Sequence, residues 1–129
     1  MQKKVLELDK YNQYEPIENS GETLWVLEYF LHGVGSNLIT SHIEWALDPT
    51  ELTLGAANLS FLEKKNKVIS ISAIHSDDPD GGPFLELSTD QFVKLLYKWE
   101  SLVKLNVKKI IITQSEDGSM AIEGVWWKN

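Results

Sequence analysis

The chain has 129 residues, a formal net charge of −7, 43% hydrophobic and 24% charged residues, and no cysteine. That length suits one domain over residues 1–129 with its own core. Having no thiols excludes disulfides and thiolate metal sites and fits a reducing compartment. No apolar run approaches the ~20 residues that cross a bilayer, and Met1 to Val5 lacks the apolar segment of a secretory signal. The expectation is a cytoplasmic protein with no membrane partner.

In chain order, Val5, Leu6 and Leu8 suggest a short strand or loose arm, followed by a polar loop around Pro16 and Asn19-Ser20-Gly21. Thr23 to Leu31 is rich in aromatic and β-branched residues and predicts a strand. His32 to Asn37 is then a loop. Leu38, Ile39, His42, Ile43, Ala46 and Leu47 recur at helical spacing and predict a helix over 37–47, capped by Ser36 or Asn37. The alternation of Ile43, Trp45 and Leu47 leaves a strand open there. Asp48-Pro49-Thr50-Glu51 has the form of a helix start or of a turn, and residues 52–59 fit neither period.

Ser60-Phe61-Leu62 and Val68 to Ile74 predict two strands joined by a turn at Lys64 to Lys67. Ile69, Ile71 and Ala73 alternate with serines, as in a strand with one solvated face. Ser76 to Pro83 is a loop on every criterion. Phe84, Leu85 and Leu87 form a short strand leading into a helix over about 89–105. Ser88 and Gln91 have capping-box spacing, and Phe92, Leu95, Leu96, Trp99, Leu102 and Val103 form one apolar stripe. Lys109 to Thr113 predicts a strand buried on both faces. Asp117-Gly118 predicts a type I′ hairpin that pairs Thr113 with Ile122 and Ile111 with Gly124. The whole implies an α+β fold: one antiparallel twisted sheet of five or six strands, with the 89–105 helix packed on one face.

Charge is distributed unevenly. From Tyr11 to Glu63 there is no lysine or arginine, against eight acids: Glu15, Glu18, Glu22, Glu28, Glu44, Asp48, Glu51 and Glu63. From Lys64 onward nine lysines balance nine acids, and the chain has no arginine at all. Nucleic acid is excluded as a partner, because phosphate binding needs clustered cations. A basic partner is favoured, since complementary fields speed encounter. The expectation is that the eight carboxylates share one side of the molecule.

Candidate sites are few. Asp77-Asp78-Pro79-Asp80-Gly81-Gly82 carries carboxylates suited to a hard cation, but its spacing does not fit an EF-hand; it reads as a solvated turn or a partner-facing acidic loop. His32, His42 and His75 are the only histidines, and His75 with Asp77 has the composition of a ligand or base with its orienting carboxylate. No G-x-S-x-G is present. Gly33-Val34-Gly35 is similar to a phosphate-cradling loop but lacks its third glycine and its lysine. Trp25 and Trp99 fall at core positions, and at least one of Trp126 and Trp127 is expected at the surface as an interface anchor.

FLELST at Phe84–Thr89 and FVKLLYKW at Phe92–Trp99, followed by an isoleucine-rich strand and an Asp-Gly hairpin in a small acidic chain, resemble the immunity proteins of bacterial toxin–immunity systems, including the contact-dependent growth-inhibition type. The resemblance covers about residues 60–124. It implies a cytoplasmic antidote, not an enzyme and without cofactor or metal, that binds one cognate toxin, expected to be a nuclease, and covers its active site. Charge agrees independently, because a nuclease cleft is basic and an acidic protein can block it without chemistry. The expected contact residues are Glu44, Asp48, Glu51 and Glu63, with Asp77, Asp78 and Asp80 as a second choice. The alternatives are a small metal-binding or hydrolytic enzyme using His75 and Asp77, or a self-associating scaffold.

Overall fold

The computed structural model describes residues 2–20, 24–34, 36–48, 53–57, 60–73 and 84–127. The fold is α+β, but its strands divide between two antiparallel sheets rather than forming one. The first sheet joins the two ends of the chain: β1 (Gln2–Leu8), β2 (Tyr14–Ser20), β7 (Lys109–Gln114) and β8 (Met120–Val125), in the order β2-β1-β7-β8. The second is built from the middle: β3 (Thr53–Ala57), β4 (Ser60–Lys65), β5 (Val68–Ala73) and β6 (Phe84–Ser88), in sequential order. Three helices, α1 (Leu24–Gly33), α2 (Ser36–Leu47) and α3 (Thr89–Lys104), complete the described residues.

The largest departure from expectation is α1. The segment expected as a strand is a helix whose Leu24, Val26, Leu27, Phe30 and Leu31 are at most 1% exposed. A short, mostly apolar run does not by itself distinguish a buried strand from a buried helix. Burial on nearly every side decides it here: α1 contacts β1 in one sheet and β4, β5 and β6 in the other. A helix apolar all round belongs between layers. Both sheets therefore turn their inner faces toward α1, and α3 joins that layer by touching β8, β5 and β6. Phe30 stacks on Phe92 with ring centroids 5.8 Å apart, and Trp45 meets Phe92 edge-on at 6.0 Å, which ties α1, α2 and α3 together.

Helix α2 has the expected bounds within a residue, and Ile39, His42, Ile43, Trp45 and Ala46 are buried. Helix α3 also follows the sequence closely. Its stripe of Phe92, Leu95, Leu96, Trp99 and Leu102 is buried, and Ser88 Oγ accepts the Gln91 N–H at its start. Its end is a Schellman motif with asparagine in the left-handed position. Asn106 has φ +53°, its N–H donates to Val103, and the Val107 N–H donates to Leu102.

The β4–β5 turn has φ +51° at Asn66 and +64° at Lys67, the type I′ signature of a two-residue loop. The β7–β8 turn does not take that form. Its positive φ is at Gly118, and Ser115 exchanges backbone hydrogen bonds with Gly118 and Ser119. Asp117 Oδ1 accepts from the Ser119 backbone and hydroxyl, which favours a three-residue loop. The extra residue moves the register by one, so Thr113 pairs with Ala121, Ile112 with Ile122 and Ile110 with Gly124. Strand β7 is also buried on one face only, with Ile110 and Ile112 in the core and Ile111 half-exposed on the other side.

Gly124 of β8 packs directly against Leu102 of α3. A Cβ there would lie 2.6 Å from Leu102 Cδ2 and 3.4 Å from both Val107 methyls. Gly124→Ala requires only a rotation of Leu102. Gly124→Val forces the helix away and is expected to lower stability by about 1–3 kcal/mol, read as a fall in thermal midpoint; a valine variant as stable as the parent would contradict this packing.

Candidate functional site

The six described carboxylates of the lysine-free stretch do not form one patch. Glu28 points inward from α1, with Oε1 2.7 Å from Lys4 Nζ, and both side chains are largely buried. His32 Nε2 lies 3.8 Å from its other oxygen. Glu15 and Glu18 are exposed on β2, and Glu18 lies 3.9 Å from Lys3. Glu44 is exposed on α2, and Glu63 is exposed on the face of β4 opposite Leu62 and Lys64. That face of the second sheet turns away from α1, as does the outer face of the first. The carboxylates on β2 and on β4 therefore look in different directions. Asp48 is half-buried just after α2. Glu22, Glu51, His75, Asp77, Asp78 and Asp80 lie outside the described residues.

Lys64, the first cation after that stretch, is withdrawn from the surface. It is 5% exposed, and its ammonium donates to the Trp45 and Asp48 carbonyls at the end of α2 while lying 5.1 Å from the Trp45 ring centre. A helix end presents carbonyls without intrahelical partners and partial negative charge, and a buried lysine satisfies both. A cleft of about 410 Å³ opens beside it, bounded by Ala46, Asp48, Lys67 and Asp90.

The described histidines serve packing. His42 is buried with its ring 5.6 Å from Phe30, and His32 meets Trp99 edge-on at 5.8 Å. No group of three or more histidines and acids among the described residues has the geometry to hold a metal ion. The Gly33 segment follows a helix instead of a strand, so it lacks the strand-to-helix geometry of a phosphate loop. Trp126 and Trp127 are both exposed, at 57% and 55%, and Trp127 Nε1 donates to the Asn106 carbonyl. Trp99 is buried as expected, while the side chain of Trp25 lies outside those described.

Sequence reasoning missed the outer face of the first sheet, because its rows depend on pairing the two ends of the chain. One row runs Val125, Lys109, Glu7, Glu15; the next runs Glu123, Ile111, Val5, Glu18; a third includes Ala121, Thr113 and Lys3. The alternation Lys3, Val5, Glu7 is visible in the sequence, but its neighbours are more than a hundred residues away.

No protein-family model, curated protein or solved structure matches this chain. Its chemistry rests on its own residues. No described helix is long and apolar enough to cross a membrane.

Two outcomes follow from the buried polar groups. Glu28→Gln strands Lys4 in the interior and is expected to cost about 3 kcal/mol, whereas Lys4→Met with Glu28→Leu costs much less; equal losses in chemical denaturation would contradict a buried pair. Tyr14 donates its hydroxyl to the Val107 carbonyl at 2.7 Å, and burial raises its pKa above 10.0. The unfolded phenol ionises first, so this contribution is intact below pH 10.0 and is lost as pH rises through the folded value. Tyr14→Phe is expected to lose about 1 kcal/mol at neutral pH and to show a shallower alkaline decline than the parent; parallel pH profiles would contradict this.

Proposed function

We propose that this chain is a cytoplasmic immunity protein, a non-enzymatic antidote that binds a cognate toxin with a basic surface, such as a nuclease, and blocks it by occupancy. The observation that carries this reading is the imbalance of accessible charge. Glu15, Glu44 and Glu63 are exposed without a salt bridge among the described residues. Of the nearest cations, Lys4 is committed to Glu28 and Lys64 to the end of α2. Lys3 reaches Glu18 at 3.9 Å, and Lys10, Lys65 and Lys67 are exposed, so the surface keeps the excess of acids that the sequence carries, a net charge of −7. An acidic surface repels nucleic acid and attracts a protein whose cleft is built for phosphate.

Because the carboxylates face in more than one direction, their combined role is to steer a basic partner over a broad area. Glu44, Asp48 and Glu63, expected from the sequence with Glu51, Asp77, Asp78 and Asp80 as contact residues, contribute to that field. The test is coexpression with the C-terminal toxin domain encoded in the adjacent reading frame, followed by calorimetry. Growth rescue is expected, with affinity falling about tenfold or more between low and high salt. Absence of rescue, or a complex indifferent to salt, would overturn the proposal.

A further inference from the structure

We infer that the outer face of the β2-β1-β7-β8 sheet is the surface on which a basic protein partner docks; this locates the contact within the binding role proposed above and rests on it. The face has an apolar centre that is half-exposed at Ile111, while Val5 beside it is only 5% exposed. Val5 and Ile111 are register partners on the side of the sheet away from α1, and neither joins the continuous hydrophobic cluster formed by Leu6, Ile110 and Ile112 on the inner side. Exposed Ala121 and Val125 extend the apolar area along β8.

Around that centre stand four carboxylates and two lysines. Glu123 and Glu18 flank the Ile111–Val5 pair in its own row, and Glu7 and Glu15 occupy the next. Lys109 lies 3.7 Å from Glu7 and Lys3 lies 3.9 Å from Glu18. Both cations are thereby occupied, and Glu15 and Glu123 are left as net negative charge at opposite edges. An apolar centre inside a charged rim is the anatomy of a protein interface.

The sign of the rim selects the occupant. Nucleic acid and an anionic lipid surface are repelled by it. A second copy docked face to face across a two-fold axis would oppose carboxylate to carboxylate. A basic protein surface with apolar residues between its cations meets both features. In this arrangement the acids on α2 and β4 act on the approach, while the sheet face makes the contact.

The experiment titrates the isotope-labelled full chain with a decapeptide alternating lysine and valine and follows backbone amide shifts. Saturable shifts centred on residues 3–7, 109–113 and 121–125 are expected. Glu15→Lys with Glu123→Lys, and separately Ile111→Thr, should each reduce affinity at least tenfold while the thermal midpoint stays near that of the parent. Shifts centred on Glu44 or Glu63 would overturn the docking face and leave the basic-partner reading standing. The absence of salt-sensitive shifts anywhere would overturn both. Concentration-dependent shifts of the same residues without peptide would assign the face to self-association and overturn the proposal.

Discussion

The fold depends on the burial of one short helix. α1 is ten residues long and carries apolar side chains on nearly every side. Such a helix has no stable position at a surface, where each large apolar side chain left in water forgoes about 1.5–3 kcal/mol. Two sheets enclose it, one made from the chain ends and one from the middle. Among the described residues of α1, Glu28 carries a charge into that interface and is met by Lys4 from β1, its counter-ion from the opposing layer. A buried pair of this kind contributes little net stability, but removing one member is costly. It fixes which side of α1 faces the first sheet.

This arrangement governs what the surface can do. With both inner faces committed to α1 and α3, the outer faces of the sheets are the broad surfaces left to solvent. Charge is partitioned by the same geometry. Lys4 and Lys64 lie inside, against a carboxylate and a helix end, while Glu15, Glu44 and Glu63 remain outside. The acidity of the surface is that of the composition, a net charge of −7, with Lys4 and Glu28 withdrawn together as a pair. Among the described residues the exposed acids do not share one face and form a distributed field.

Local signals made part of this legible. The cap at Ser88, the stripe through Trp99 and the asparagine end of α3 are all encoded within one stretch, and each agrees with the next. The Asn66-Lys67 turn is similarly local. What was not legible depended on distant partners. Thr23 to Leu31 reads as a strand by composition, and only its enclosure by two sheets makes it a helix. The β7–β8 register turned on Asp117 Oδ1 accepting from Ser119, which no dipeptide rule specifies. The rows that place Val5 beside Ile111 and Glu18 require the first and last strands to meet, and Glu28 resembled any other surface acid until Lys4 stood opposite it.

Native-state hydrogen exchange tests the central claim, that α1 is a helix enclosed between the two sheets. Its amides from Leu27 to Leu31 should exchange only through global unfolding, with protection equal to that of Ile110 and Ile112 in β7. Exchange of those amides at the rate of the exposed turns, while β7 stays protected, would contradict the account.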